Sequence, residues 1–196
     1  MRNAPDIKVY RQLARQLEGL FEGETDLIAN LANASALLNE ALEDINWVGF
    51  YFLKEKINGQ TTPAAQGCDE ALMSNDSQAE KELVLGPFQG RAACVRIPIG
   101  KGVCGTAVQQ DQVQRVLDVH QFPGHIACDC ASRSEIVLPL HVNGQIVGVL
   151  DIDSPLVGRF TEEDQEGLLL CAAVIEKMLC AATALKTPCV VADVKV

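Results

Sequence analysis

Hydrophobic positions in the first part of the chain recur at steps of three and four residues, the spacing of one helix face. The pattern runs from Ile7 to Leu20 and returns from Glu24 to Leu42. At Asn46 to Leu53 it gives way to NWVGFYFL, a short aromatic-rich run typical of a strand. The chain therefore predicts two helices followed by the first strand of a sheet.

The segment from Lys54 to Lys81 is polar, carries Gly, Pro and Ser, and has few large apolar residues. Such a composition cannot bury enough surface to offset the entropy lost on ordering. We therefore expect a long loop inserted between two strands, with Cys68 playing no part in a site.

Short apolar runs punctuated by Gly and Pro predict five further strands. They are Glu82–Leu85, Ala93–Ile99, Val113–Val119 at an edge, Glu135–Val142 and Gln145–Ile152. A turn is expected from Gly86 to Gly90, and a helix after Gly100 and Gly102. Asn143-Gly144, between the last two runs, is the strongest short hairpin signal.

Thr161-Glu-Glu-Asp has the form of a helix-capping motif, so a final helix is expected from Asp164 to Ala184. The order of elements predicts an α+β fold with one mostly antiparallel, six-stranded sheet flanked by helices. A length of 196 residues suits one domain. We assign residues 1–184 to this domain, with 54–81 as its loop insertion and 185–196 as a C-terminal tail.

The chain has 16 basic and 26 acidic residues, a net charge of −10. This balance argues against a nucleic-acid or anionic membrane partner, because phosphate binding needs a basic face. The N-terminus lacks a signal-like apolar run, and we find no apolar stretch approaching the roughly 20 residues of a membrane span. A cytoplasmic location is expected, where cysteines are more often buried, metal-binding or catalytic than disulfide-bonded.

The candidate chemistry centres on HIACDCASRSEIVLPL, residues 125–140. This stretch places Cys128 and Cys130 just before a strand that begins at Glu135, while Asp151 and Asp153 end the next strand. If the two strands form a hairpin, three carboxylates and a thiol share one pocket.

These acids could be ordinary carboxylates at strand ends, the commonest fate of such residues. A cluster of acids is costly, however, unless a cation compensates it. The amino group of a small ligand would be such a cation, and mutual repulsion could keep one acid protonated as a proton donor.

Three cysteines, Cys94, Cys104 and Cys128, are expected around this pocket. A helix N-terminus or a cation such as Arg133 would favour the reactive thiolate. An oxidised Cys128 needs a resolving thiol, and both Cys104 and Cys94 are candidates. The alternative is that these cysteines only pack in the core, since free cysteine is among the most buried residue types.

The remaining candidates also have plain structural interpretations. A CxC pair with His120 and His125 upstream matches zinc-site spacing poorly, so no metal is expected. Trp47 and Tyr51 lie on one face of their strand, where they either pack in the core or form a wall against the apolar end of a ligand. Core packing is also expected for two cysteines of the last helix, Cys171 and Cys180.

With these residues assembled, the chain resembles the free methionine-(R)-sulfoxide reductase family, single GAF domains that reduce the free amino acid. The matching stretches are NWVGFYFL at 46–53, LGPFQGRAACVRIPIGKGVCGTA at 85–107, HIACDCASRSEIVLPL at 125–140 and GQIVGVLDIDSP at 144–155. Three spaced cysteines combined with these acids make a specific pattern, whereas a GAF fold alone does not specify function.

By position, the resemblance implies that Cys128 is the nucleophile, Cys104 the resolving cysteine and Cys94 an auxiliary one. The additional Cys130 departs from the family pattern and leaves open which thiol resolves. The residues implied to bind the substrate are Glu135, Asp151, Asp153, Trp47 and Tyr51.

The implied reaction uses thiolate, sulfenic acid and disulfide chemistry without a cofactor, with thioredoxin as the reductant. The resemblance also implies a homodimer and a role in oxidative stress. Two other functions remain open on the residues alone. One is a GAF module that binds a small ligand for sensing and has structural cysteines, and the other is a redox-sensing or metal-sensing protein without turnover.

Overall fold

The computed structural model describes residues 7–56, 81–124 and 130–184. The α-helices in these ranges are α1 (Ile7–Phe21), α2 (Leu27–Ala41), α3 (Gly102–Gln110) and α4 (Glu162–Ala184). The strands are β1 (Trp47–Glu55), β2 (Lys81–Gly90), β3 (Arg96–Pro98), β4 (Gln114–Val116), β5 (Ser134–Val142) and β6 (Gln145–Ser154). A 3₁₀ turn, Val119–Gln121, follows β4.

The six described strands form one sheet in the order β3-β2-β1-β6-β5-β4, and each neighbouring pair is antiparallel. The predicted fold class is therefore confirmed. The β5–β6 hairpin turns at Asn143-Gly144, where both residues have positive φ, as a type I′ turn requires. The predicted edge strand is β4, although it has only three residues.

The two faces of the sheet bury different sets of side chains. Residues such as Phe50, Leu138 and Leu150 point to the face covered by α1, α2 and α4, which holds the larger core. Tyr51, Val149 and neighbouring residues point to the opposite face, where they pack with α3. Strand alternation thus separates a structural core from a second, smaller layer.

His141 connects the end of α3 with helix α4. Its ring on β5 lies 2.8 Å from Asp111 at the end of α3 and 3.0 Å from Glu176 on α4. Burial alone would lower the pKa of His141, but hydrogen bonds to both carboxylates raise it above its ordinary value.

Strand β2 differs from its prediction, because it continues through the segment expected to turn at Gly86 to Gly90. The register between β1 and β2 shifts between Gly49 and Tyr51, opposite Pro87. A bulge of this kind tolerates proline, which has no N–H to donate to the ladder. The predicted strand Ala93–Ile99 was too long, since β3 spans only Arg96–Pro98.

Helix α4 has a length and a hydropathy that would allow it to cross a membrane, contrary to the expectation from the sequence. Leu168, Cys171 and Ile175 on this helix are fully buried against the rest of the domain. Its first turn is acidic, and Asp164 and Thr161 exchange the side-chain-to-backbone hydrogen bonds of the predicted cap. These contacts are those of a core helix.

Candidate active site

The three predicted acids lie on the smaller-core face of the sheet, at the ends of β5 and β6. Glu135 is directly opposite Asp153, and Asp151 is opposite Val137. Glu135 and Asp151 are each only 6% exposed. The hairpin therefore brings together the carboxylates that the sequence placed in one pocket, and it buries two of them.

Helix α3 places Cys104 against these acids. The Cys104 Sγ lies 3.9 Å from Glu135 Oε1, and one ligand atom from each of Cys104, Glu135 and Asp151 lies within 4.8 Å of the others. The helix can approach the sheet because Gly105 has no side chain; a Cβ there would lie 2.3 Å from the carbonyl oxygen of Pro98. The close packing of this glycine fixes the position of the thiol.

Burial determines the protonation of this cluster. It raises the pKa of Asp151 to about 6, although hydrogen bonds from Cys104 and Glu135 act to lower it. Burial and the charges of Asp151 and Asp153 raise the pKa of Glu135 well above its ordinary range. The pair therefore keeps a proton to a higher pH than two exposed carboxyl groups would.

Cys104 sits in the first turn of α3, where the helix dipole favours a thiolate. Its pKa is nevertheless raised well above the ordinary value, first by burial and then by the charges of Asp151 and Glu135. A helix terminus contributes only about 0.3–1 kcal/mol, which is too little to overcome burial beside two acids. Cys104 is therefore a protonated, free thiol.

Asp151 leaves one polar atom unsatisfied. Its Oδ1 is buried and has no hydrogen-bond partner among the described residues. A buried acceptor without a donor costs about 1–3 kcal/mol, and more when it is charged. This cluster of acids therefore lacks a hydrogen-bond donor, which a bound ligand could supply.

Three aromatic rings stack on one another in the smaller core, and two of them, Trp47 and Tyr51, are residues predicted to contact a ligand. Trp47 stacks on Tyr51 with ring centroids 5.9 Å apart and on Phe88 at 5.2 Å. The third ring, Phe88, was not predicted, because it lay in the segment expected to turn. Trp47 Nε1 donates a hydrogen bond to the carbonyl of Arg91, which holds the indole in place.

Cys94 lies between β2 and β3, and not on a strand as expected. It is disulfide-bonded, and its carbonyl accepts a hydrogen bond of 3.0 Å from the Tyr51 hydroxyl. Cys130 is exposed and free. Cys128, the predicted nucleophile, lies outside the described residues.

Comparison with a family model and comparison with known proteins identify related families. Residues 16–179 match the GAF domain family. The chain is 54% identical over 170 residues to the free methionine-R-sulfoxide reductase of Escherichia coli, covering 87% of this chain and 88% of that protein.

Solved structures agree with this result. The free methionine-R-sulfoxide reductase of Neisseria meningitidis in complex with its substrate has a TM-score of 0.74 and 39% identity, covering 95% of this chain and 98% of that one. The fRMsr of Staphylococcus aureus in complex with substrate has a TM-score of 0.72 and 46% identity, covering 91% and 99%. With these identities over most of its length, the chain belongs to the GAF-domain family of free methionine-(R)-sulfoxide reductases.

Proposed function

We propose that the protein reduces free L-methionine-(R)-sulfoxide to L-methionine. The observation that carries the proposal is the buried Glu135–Asp151 pair, with its unsatisfied Asp151 Oδ1, beside a wall of aromatic rings. A small zwitterion with a cationic amino group and a short apolar side chain complements both features. Relatives named for this activity, and substrate complexes of two of them, support the choice.

The substrate ammonium group would lie against Asp151, with Asp153 adding negative charge. The ammonium supplies three donors, one of which can satisfy Asp151 Oδ1. It would also lower the pKa of Asp151 and hold that acid ionised. A peptide-bound methionine sulfoxide has no free ammonium group, so the same pocket would select the free amino acid.

Glu135 is the acid best placed to give a proton. It is buried, and burial together with two neighbouring aspartates raises its pKa well above the ordinary range, which favours its protonated form. We propose that it protonates the sulfoxide oxygen while the Cys128 thiolate attacks the sulfur. This attack forms a bond between Cys128 Sγ and the substrate sulfur. The protonated oxygen then passes to Cys128 Sγ as this bond and the sulfur–oxygen bond of the substrate break, so methionine leaves, Cys128 becomes a sulfenic acid and Glu135 is left ionised.

We assign the resolving step to Cys94 and not to Cys104. Cys94 is disulfide-bonded, whereas Cys104 is a buried free thiol whose pKa is raised by burial and by two acids. Attack of the Cys94 thiolate on the sulfenic acid of Cys128 would form a disulfide and break the sulfur–oxygen bond, and the leaving hydroxide would take a proton from solvent to become water. Thioredoxin, acting as a dithiol, would reopen this disulfide by exchange and take up the oxidising equivalents.

The test is NADPH consumption coupled through thioredoxin and its reductase. Free L-methionine-(R)-sulfoxide, the S epimer and a blocked peptide analogue are compared. Turnover with the free R form alone is expected. Absence of turnover with all three would contradict the proposal and favour a ligand-binding module.

Two matched variants separate the roles of the thiols. Cys94→Ser should release about one methionine per chain in a single turnover and then stall with thioredoxin. Cys104→Ser should still cycle, because the resolving thiol is intact. Stalling of Cys104→Ser, with continued cycling of Cys94→Ser, would reverse the assignment. Cys128→Ser should release no methionine.

We further propose a cytoplasmic homodimer. Free thiols at Cys104, Cys130, Cys171 and Cys180 suit a reducing compartment.

The N-terminal helices offer apolar surface to a second copy of the chain. The exposed fractions are 44% for Val9 and 40% for Leu20 on α1, and 69% for Ile28 on α2. Sedimentation velocity should give a dimer mass that Ile28→Glu reduces to that of a monomer. A monomeric parent protein would contradict this part of the proposal.

A further inference from the structure

The cluster that would hold the substrate ammonium group also presents a set of metal ligands. Cys104, Glu135 and Asp151 are all buried, and their ligand atoms lie within 4.8 Å of one another. Asp151 Oδ1 in addition lacks a hydrogen-bond partner within the described part of the chain. We propose that Cys104, Glu135 and Asp151 form a binding site for Zn²⁺, which occupies the pocket in place of the substrate.

The chemistry of the three ligands favours zinc over the harder cations. Zinc is bound by cysteine sulfur and by carboxylate oxygen, whereas calcium and magnesium prefer oxygen alone and more ligands. Three protein ligands leave the fourth tetrahedral position for water. Zinc would displace the protons of Cys104 and Glu135, and its two positive charges would then offset most of the charge on the thiolate and the two carboxylates.

Zinc would draw together three ligand atoms that lie within 4.8 Å of one another. With zinc–sulfur and zinc–oxygen bonds of about 2.3 and 2.0 Å, tetrahedral ligands lie roughly 3.5 Å apart. The observed distance from Cys104 Sγ to Glu135 Oε1 is 3.9 Å. The three ligands project from α3 and from two adjacent strands, so the surrounding secondary structure already holds them in place.

Binding of zinc does not depend on the proposed function, but competition with the substrate does. Equilibrium dialysis of the reduced protein against zinc chloride measures the first, and addition of methionine sulfoxide measures the second. Cadmium provides an independent readout, because its coordination by a thiolate gives an ultraviolet charge-transfer band.

Removing one ligand should weaken zinc binding by at least about 100-fold, since even outer-shell changes cost 10–100-fold. Cys104→Ser and Asp151→Asn should each lose one bound zinc per chain, and Cys104→Ser should lose the cadmium–thiolate band. Cys180→Ser removes a thiol near Asn143 on the hairpin turn, and it should retain both.

Equal zinc binding by the parent protein, Cys104→Ser and Asp151→Asn would overturn the site. Loss of zinc in both variants, with displacement by methionine sulfoxide in the parent protein, would support the site and the proposed function together. Loss of zinc without displacement by the sulfoxide would support the metal site and count against the proposed substrate.

Discussion

Replacing Asp151 with asparagine should make the fold more stable while it weakens substrate binding. Burial raises the pKa of Asp151 to about 6 from an ordinary 3.8. An acid whose pKa is higher in the folded chain binds its proton more tightly there than in the unfolded chain. Its contribution to stability therefore falls as the pH rises from about 3.8 to about 6. Above pH 6 the folded protein must keep a buried carboxylate ionised, which asparagine avoids.

The size of the effect follows from the change in pKa. A rise of about two pH units at about 1.4 kcal/mol per unit corresponds to about 3 kcal/mol of folding free energy at pH 8. At pH 4, where Asp151 is largely protonated in the folded chain, the gain should fall below about 1 kcal/mol. Asparagine keeps a carbonyl oxygen that can accept the hydrogen bond from Glu135.

Urea unfolding at pH 4 and pH 8, followed by circular dichroism and by the fluorescence of Trp47, the single tryptophan, measures both values. Asp118→Asn is the matched control. Asp118 is partly exposed and its pKa is lowered, chiefly by a hydrogen bond from the backbone N–H of His120, so this variant should lose stability at neutral pH. A gain for Asp151→Asn that does not change with pH, or a loss at pH 8, would refute the argument. In parallel, KM for methionine sulfoxide should rise.

Further predictions concern single contacts. Tyr51→Phe removes the hydrogen bond to the Cys94 carbonyl and should lower the free energy of unfolding in urea by about 1 kcal/mol. Because Tyr51 positions Cys94, recycling by thioredoxin should slow more than the release of methionine. Equal slowing of both steps would contradict this role of Tyr51. Gly167→Ala places a Cβ 2.1 Å from the Tyr10 ring and should destabilise the protein by about 2 kcal/mol, whereas Gly19→Ala, which meets no atom within 4 Å, should not destabilise it. His141→Gln should lower the melting temperature at pH 6 and have a smaller effect at pH 9, because a raised pKa stabilises the fold only while the ring is protonated; an equal effect at both pH values would exclude the charge as the cause.

The elements of this fold were largely predictable, because their signals are local. Helical spacing located α1 and α2, and Asn143-Gly144 located the β5–β6 hairpin. Those signals failed where a long-range contact decides the structure. The Gly-Pro pair in β2 indicated a turn, yet the bulge opposite Pro87 lets the strand continue and brings Phe88 onto Trp47.

The sequence by itself determined which carboxylates lie together: strand alternation and the hairpin turn placed Glu135, Asp151 and Asp153 on one face. Only the tertiary structure decided the pKa values and the hydrogen bonds of these carboxyl groups. Burial, which no local pattern reports, raises the pKa values of Glu135 and Asp151 and leaves Asp151 Oδ1 without a donor. The packing of α3 against the sheet decides that Cys104 is a protonated thiol beside two acids, although its place in the first turn of a helix favoured a thiolate.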